Sequence, residues 1–179
     1  MTVTGHNRAG DSLVSFTAKQ AEFLIQQLNV LVVDDSAFMR NMVRGLLSNI
    51  GVKNTHEAAD GIAALEMIRE VSPDVVILDW EMPLLNGPEL VRIVRSPGVF
   101  PVPDIPIVML SAHGERWRVV EAAKLGVNEF LCKPVSAKAL MERLISILLK
   151  PRESVRLGEY YGPALRSPAV KKKSAAAAT

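Results

Sequence analysis

Four short apolar runs in this chain each break off at a charged or hydroxyl residue. Val30–Val33 runs into Asp34 and Asp35, Val75–Leu78 into Asp79, Ile107–Leu110 into Ser111, and Phe130–Cys132 into Lys133. Between them lie segments whose apolar residues recur at helical spacing. This alternation predicts a parallel sheet joined by crossover helices. In such a sheet, ligands gather outside the carboxyl ends of the strands, so all four run ends converge on one rim. The rim would hold carboxylates to bind a cation, one carboxylate to be modified, and a hydroxyl and an ammonium to hold an anion. That set suits phosphoryl transfer, where catalysis is mostly positioning and electrostatics.

The pattern resolves into five strand–helix units over residues 29–150. The strands are expected at Val30–Asp34, Thr55–Ala59, Asp74–Asp79, Ile105–Leu110 and Asn128–Cys132. Ser36, Asp60 and Ser136 are good N-caps, and Pro88 fits the first turn of the helix after the third strand. The first helix turns Met39, Met42, Val43, Leu46, Leu47 and Ile50 to one face, the second Ile62, Leu65 and Ile68, and the last Leu140, Met141, Leu144, Ile145 and Leu148. Residues 1–28 read as an N-terminal extension with a short helix through Ala21, Leu24, Ile25 and Leu28. Residues 151–179 read as a basic, largely irregular tail that is dispensable for folding and adds salt-sensitive affinity for an acidic partner.

Composition narrows the class. A chain of 179 residues, 49% hydrophobic, can bury a core and is not disordered throughout. No apolar run approaches the roughly 18 residues of a membrane span, and the first residues lack the apolar stretch of a secretory signal. A single cysteine excludes an internal disulfide framework. The expectation is a soluble, cytoplasmic protein. Its net charge of +2 is uneven: from Pro151 onward six basic residues stand against two acidic ones. The basic balance therefore belongs to the tail.

The run ends, read with their neighbours, match a family. Val32-Val33-Asp34-Asp35-Ser36 with Met39-Arg40, Leu78-Asp79-Trp80-Glu81-Met82-Pro83 with Asn86-Gly87, Leu110-Ser111-Ala112 and Phe130-Leu131-Cys132-Lys133-Pro134 resemble receiver domains of two-component response regulators. The likeness is to the chemotaxis-type, single-domain members and covers about Leu28 to Leu149. It implies a flavodoxin-like (βα)5 sandwich, an α/β fold with a five-stranded sheet in the order 2-1-3-4-5.

The resemblance also implies roles. Asp79 matches the phosphoacceptor, served by a histidine kinase or histidine phosphotransfer protein. Asp34 and Asp35 match the acid pair that positions Mg²⁺ together with Asp79, and Glu81 matches the residue that lends a backbone carbonyl to the metal. Ser111 and Lys133 match the two groups that hold the phosphoryl oxygens, and Ser111 with Phe130 the pair that switches. The implied protein is a phosphorylation-dependent signalling switch of a phosphorelay. It catalyses only its own phosphorylation and dephosphorylation and signals by binding a downstream protein. The face of the fourth helix, fifth strand and fifth helix of the five units offers a possible dimer contact.

Two other classes fit the sequence less well. An aspartate-nucleophile phosphatase of the haloacid-dehalogenase kind needs an Asp-x-Asp signature after its first strand, and this chain has Asp34-Asp35-Ser36. A nucleic-acid binder working through the basic tail ranks last, because no aromatic and basic platform lies on the fold. His6, His56 and His113 show no metal-ligand spacing, although His113 falls near the rim. Cys132 reads as a small buried hydrophobe.

Overall fold

Five parallel strands form one sheet in the order β2-β1-β3-β4-β5. They are β1 (Asn29–Val33), β2 (Asn54–Ala58), β3 (Val75–Asp79), β4 (Ile107–Ser111) and β5 (Glu129–Cys132). The helices that link them are α2 (Ala37–Asn49), α3 (Gly61–Val71), α4 (Gly87–Val94) and α5 (Arg116–Leu125), with α6 (Ala137–Leu149) closing the last unit. Residues 19–27 form a leading helix, α1. This computed structural model describes residues 19–166. The expectations for residues 1–18, and for the tail from residue 167 with its three lysines, lie outside the described residues.

Alternation along each strand divides the core in two. Leu31, Val33, Val76, Leu78, Ile107 and Met109 face a layer filled by α3, α4 and Ala122 of α5. Val30, Val32, Val75, Ile77, Val108 and Leu110 face the layer of Val43, Leu47, Leu140 and Leu144, from α2 and α6. Both faces are covered, so β3 and β4 are buried at every position, as parallel strands between helical layers must be. Ser36, Asp60 and Ser136 cap α2, α3 and α6 through their side chains, as expected.

One helix face shifts from the sequence reading. Ile62 is 56% exposed, and α3 seats Gly61 and Ala64 beside the expected Ile68, with Leu65 packed at the edge of the core. The loop before α4 sets this, because a Cβ on Gly61 would lie 2.8 Å from the Leu85 carbonyl oxygen. Only a bare backbone allows that approach. Among the described residues, no helix is long and apolar enough to cross a membrane.

The segment after Pro151 departs from the expected irregular tail. It forms an antiparallel hairpin of β6 (Ser154–Leu157) and β7 (Tyr160–Pro163), closed by Gly158 at φ 61°. A glycine opening a two-residue turn suits the twist of paired strands. Hydrophobic pattern gave little sign of it, because polar bonds hold the hairpin to the domain. Arg152 donates to the Asn128 carbonyl and Arg166 pairs with the buried Glu129. Tyr161 donates its hydroxyl to Asp104 at 2.6 Å. Gly162 lies so close to Gly126 that a Cβ on it would stand 2.8 Å from the Gly126 Cα.

Arg95 braces the same corner from inside. Its buried guanidinium donates to the carbonyls of Gly126 and Pro103, at 2.9 and 2.5 Å, and to Asn128 Oδ1 at 3.0 Å. Burial pushes its pKa down to about 10, which leaves it charged at neutral pH. Truncation after Lys150 should strip the Asn128 carbonyl and Glu129 of hairpin partners and cost about 2 kcal/mol. Urea denaturation followed by circular dichroism checks this; an unchanged midpoint would show that the hairpin contributes nothing to folding.

Candidate functional site

Strand register assembles the rim. Val33 of β1 stands beside Leu78 of β3, so Asp34 follows β1 just where Asp79 ends β3. Asp79 is level with Leu110, and Ser111 with Cys132. The Lys133 amide donates to the Ser111 carbonyl at 2.8 Å, which carries the β5 exit to the same edge. The sheet order reverses between β1 and β3, and a crevice opens at such a reversal. The two aspartates meet there.

Lys133 Nζ lies 2.8 Å from Asp79 Oδ1 and 2.9 Å from Asp34 Oδ2. Asp34 is 3% exposed and Asp79 6%. Asp34 also accepts the Ser36 amide at 2.9 Å, while Asp35 stands exposed. Carboxylate oxygens of Asp34, Asp35 and Asp79 lie within 4.8 Å of one another. Fully ionised, three carboxylates against one ammonium leave a net charge of −2.

The titration of the pair reflects that imbalance. Burial raises the Asp79 carboxyl above its ordinary value; Lys133 pulls the other way without cancelling the shift, and Asp34 adds to it. Burial works to lower Lys133, but its hydrogen bonds and charge attraction to Asp79 and Asp34 outweigh that and raise it overall. The lysine is thus fixed as an ammonium, and one ammonium does not offset the cost of burying Asp79. Hard oxygen donors clustered with surplus negative charge fit Mg²⁺, which takes one or two carboxylates and retains waters.

Ser111 is 1% exposed, and its Oγ accepts the His113 amide at 3.1 Å, leaving the hydroxyl proton to be donated. Phe130 does not join the carboxylates. It lies on the other face of the sheet, edge-on to Trp80 with ring centroids 6.2 Å apart. Glu81 sends its side chain away from the acids, to Arg118 at 3.0 Å and toward His113 Nε2 at 3.9 Å. Cys132 is exposed rather than buried, because it ends β5 at the rim beside Gly114.

Three features escaped the sequence reading. Arg40 braces the acidic loop, donating to the Asp34 carbonyl at 2.8 Å while pairing with Glu57 at 3.2 Å. Gly87 lets the start of α4 press on the Asp79 carbonyl, where a Cβ would collide, and its amide donates to the Trp80 carbonyl at 3.0 Å. Arg118 stacks its guanidinium 5.1 Å from the centroid of Trp80. Arg40 and Gly87 stood within the quoted motifs without a role; Arg118 gave no periodic or motif signal.

A family model described as the response regulator receiver domain matches residues 30–145. The chemotaxis protein CheY-3 of Vibrio cholerae is 37% identical over 124 residues, spanning 69% of this chain and 94% of that protein. The chemotaxis protein CheY1 of Helicobacter pylori is 38% identical over 122 residues, spanning 68% and 97%. Among solved structures, the receiver domain of the Francisella response regulator 1452 aligns with a TM-score of 0.61 at 32% identity, over 69% of this chain and 98% of that one. With the 2-1-3-4-5 sheet and the acid cluster at its reversal, these matches lead to one conclusion: the chain belongs to the response-regulator receiver domains, which are phosphorylation-dependent signalling switches.

Proposed function

We propose that Asp79 is the phosphoacceptor of this receiver domain, taking its phosphoryl group from a phosphohistidine on a histidine kinase or phosphotransfer protein. The observation that carries this reading is the burial of Asp79 beside Asp34 and Asp35, with Lys133 Nζ at 2.8 Å. A carboxylate oxygen of Asp79 forms the new O–P bond as the N–P bond to the donor imidazole breaks. Lys133 exchanges its carboxylate partner for a phosphoryl oxygen, as a point charge on a flexible stem can. Ser111 donates its hydroxyl proton to another. Mg²⁺, held by the carboxylates of Asp34, Asp35 and Asp79 with the Glu81 backbone carbonyl, would neutralise charge shared by acceptor and phosphoryl group. Asp35 would be its most direct ligand, because Asp34 is already engaged by Lys133 and the Ser36 amide.

The chemistry is confined to the protein's own phosphorylation and to hydrolysis of the resulting acyl phosphate. Output runs through protein–protein contact. Drawing Ser111 toward the phosphoryl group lets Phe130, on the neighbouring strand, change its packing against Trp80 and alter the face of α5, β5 and α6. That face is also where two copies would meet if the protein dimerises, and the setting is the cytoplasm.

Asp79→Asn keeps the shape of the side chain and should abolish acid-labile labelling by acetyl phosphate while the circular dichroism spectrum is retained. Labelling at the wild-type level would show that another residue is the acceptor. Asp35→Ala should weaken Mg²⁺ affinity about tenfold or more. The rise in Tm that Mg²⁺ gives the wild type through preferential binding should then disappear; an equal rise in both proteins would remove Asp35 from the metal site.

A pH dependence follows from Asp79. Its carboxyl is raised in the folded chain, so above its ordinary value of 3.8 the folded state binds more protons than the unfolded state. Stability contributed by the protonated form is therefore lost as pH rises through the folded pKa. In chelator, wild-type stability should carry this falling component, and Asp79→Asn should lack it. Urea midpoints measured between about pH 4 and 7 test the difference; parallel curves would contradict it.

A further inference from the structure

Arg118 is charged, largely buried and outside the acid cluster, and its environment is unusual for a helix-surface arginine. Its guanidinium lies 5.1 Å from the Trp80 ring centroid and 5.0 Å from that of Trp117. Two indoles near the guanidinium favour a cation and constrain its planar fork. One end of the fork donates to Glu81 Oε1 at 3.0 Å. Its Nε is buried with no hydrogen-bond partner among the described residues, and Glu115 Oε2 is 4.0 Å away. Desolvation is costly for a cation whose strongest polar contact is one exposed carboxylate. Packing alone would have been served by an uncharged side chain.

The position of Glu81 gives the charge a purpose. It is two residues from Asp79 on the loop that leaves β3, yet its carboxylate is not among the oxygens that gather within 4.8 Å. Fully ionised, those acids with Lys133 carry a net −2, so a free Glu81 would add a fourth carboxylate at the mouth of the site. We propose that Arg118 is a positioning residue that holds the Glu81 carboxylate out of the acid cluster and cancels its charge. It thereby sets the field that Mg²⁺ and an anionic phosphoryl donor meet at Asp79. His113, with Nε2 3.9 Å from the same Glu81 oxygen, flanks the pair. This assignment rests on the receiver reading of the site.

The signature is a pair of effects with opposite signs. Arg118→Ala releases Glu81, which draws Mg²⁺ in more tightly and repels a dianionic donor. A unit charge within several ångströms in a partly screened site shifts each by about fivefold, and about 0.5 M salt shrinks both shifts. Loss of a merely structural brace would weaken Mg²⁺ binding and phosphorylation together.

The full chain is titrated with Mg²⁺ by calorimetry, and its second-order rate of labelling by acetyl phosphate is measured at saturating Mg²⁺. Wild type is compared with Arg118→Ala, Arg118→Lys and the double variant Arg118→Ala/Glu81→Gln. We expect tighter Mg²⁺ binding with slower labelling in Arg118→Ala, return of both toward wild type in the double variant, and an intermediate Arg118→Lys, which keeps the charge but loses the fork. Values that fall together in Arg118→Ala and stay low in the double variant would overturn the proposal and leave Arg118 as a brace for α5. Unchanged values would overturn it as well. A wild type that neither binds Mg²⁺ nor takes label would refute the receiver reading itself, and the assignment of Arg118 with it.

Discussion

Lys133 bridging Asp34 and Asp79 is the contact on which the arrangement of the rim depends. Two carboxylates almost withdrawn from water carry a large desolvation cost, and their mutual repulsion adds to it. An ammonium within 3 Å of both makes that proximity tolerable. The cost is not fully offset, as the upward shift of Asp79 shows. A site left short of positive charge is suited to a divalent cation and to exchange of partners on the lysine. Burying the charges at a strand end also fixes them, because β3 is packed on both faces and Gly87 presses the return of the chain against the Asp79 carbonyl.

The α5 helix stands apart from this rigid frame. Among its residues only Ala122 is fully buried, and its N-cap Glu115 makes no side-chain cap bond among the described residues. Its two ends are tied by other means. At the N-terminal end, Arg118 joins it to Trp80 and Glu81, the two residues that follow the buried aspartate. At the C-terminal end, Gly126 is gripped by Arg95 and by the hairpin of β6 and β7. A helix with few buried contacts and polar ties at its ends has low local stability, which is the usual origin of elements that move in switching. The tie at the N-terminal end runs straight back to the site.

The hairpin joins the same logic from outside the five repeating units. Arg152 and Arg166 reach the β5 entrance, and Tyr161 reaches Asp104 in the loop before β4. All three are directional polar contacts rather than burial of a hydrophobic stripe, and Leu157 remains largely exposed. The basic residues that gave the tail its charge are thus partly spent within the molecule. Arg152 and Arg166 are internal anchors, and Tyr161 is tied to Asp104.

The sequence by itself determined the sheet, its order of elements and the four run ends that meet at the rim. Apolar runs and helical spacings are local, and the rule that parallel strands offer their carboxyl ends to ligands converts spacing into place. Asp34, Asp79, Ser111 and Lys133 were legible for that reason, each being the first polar residue after an apolar run, and Asp35 directly follows Asp34. The tertiary structure alone decided what depends on contacts between distant segments. It turned Ile62 outward, because the Leu85 loop claims the space over Gly61. It folded the tail into a hairpin through arginine and tyrosine bonds that no periodicity records. It also brought Arg118 to Glu81 across 37 residues of chain. Hydrophobic pattern encodes which face is buried, whereas the pairing of single charges depends on where two rigid elements end in space.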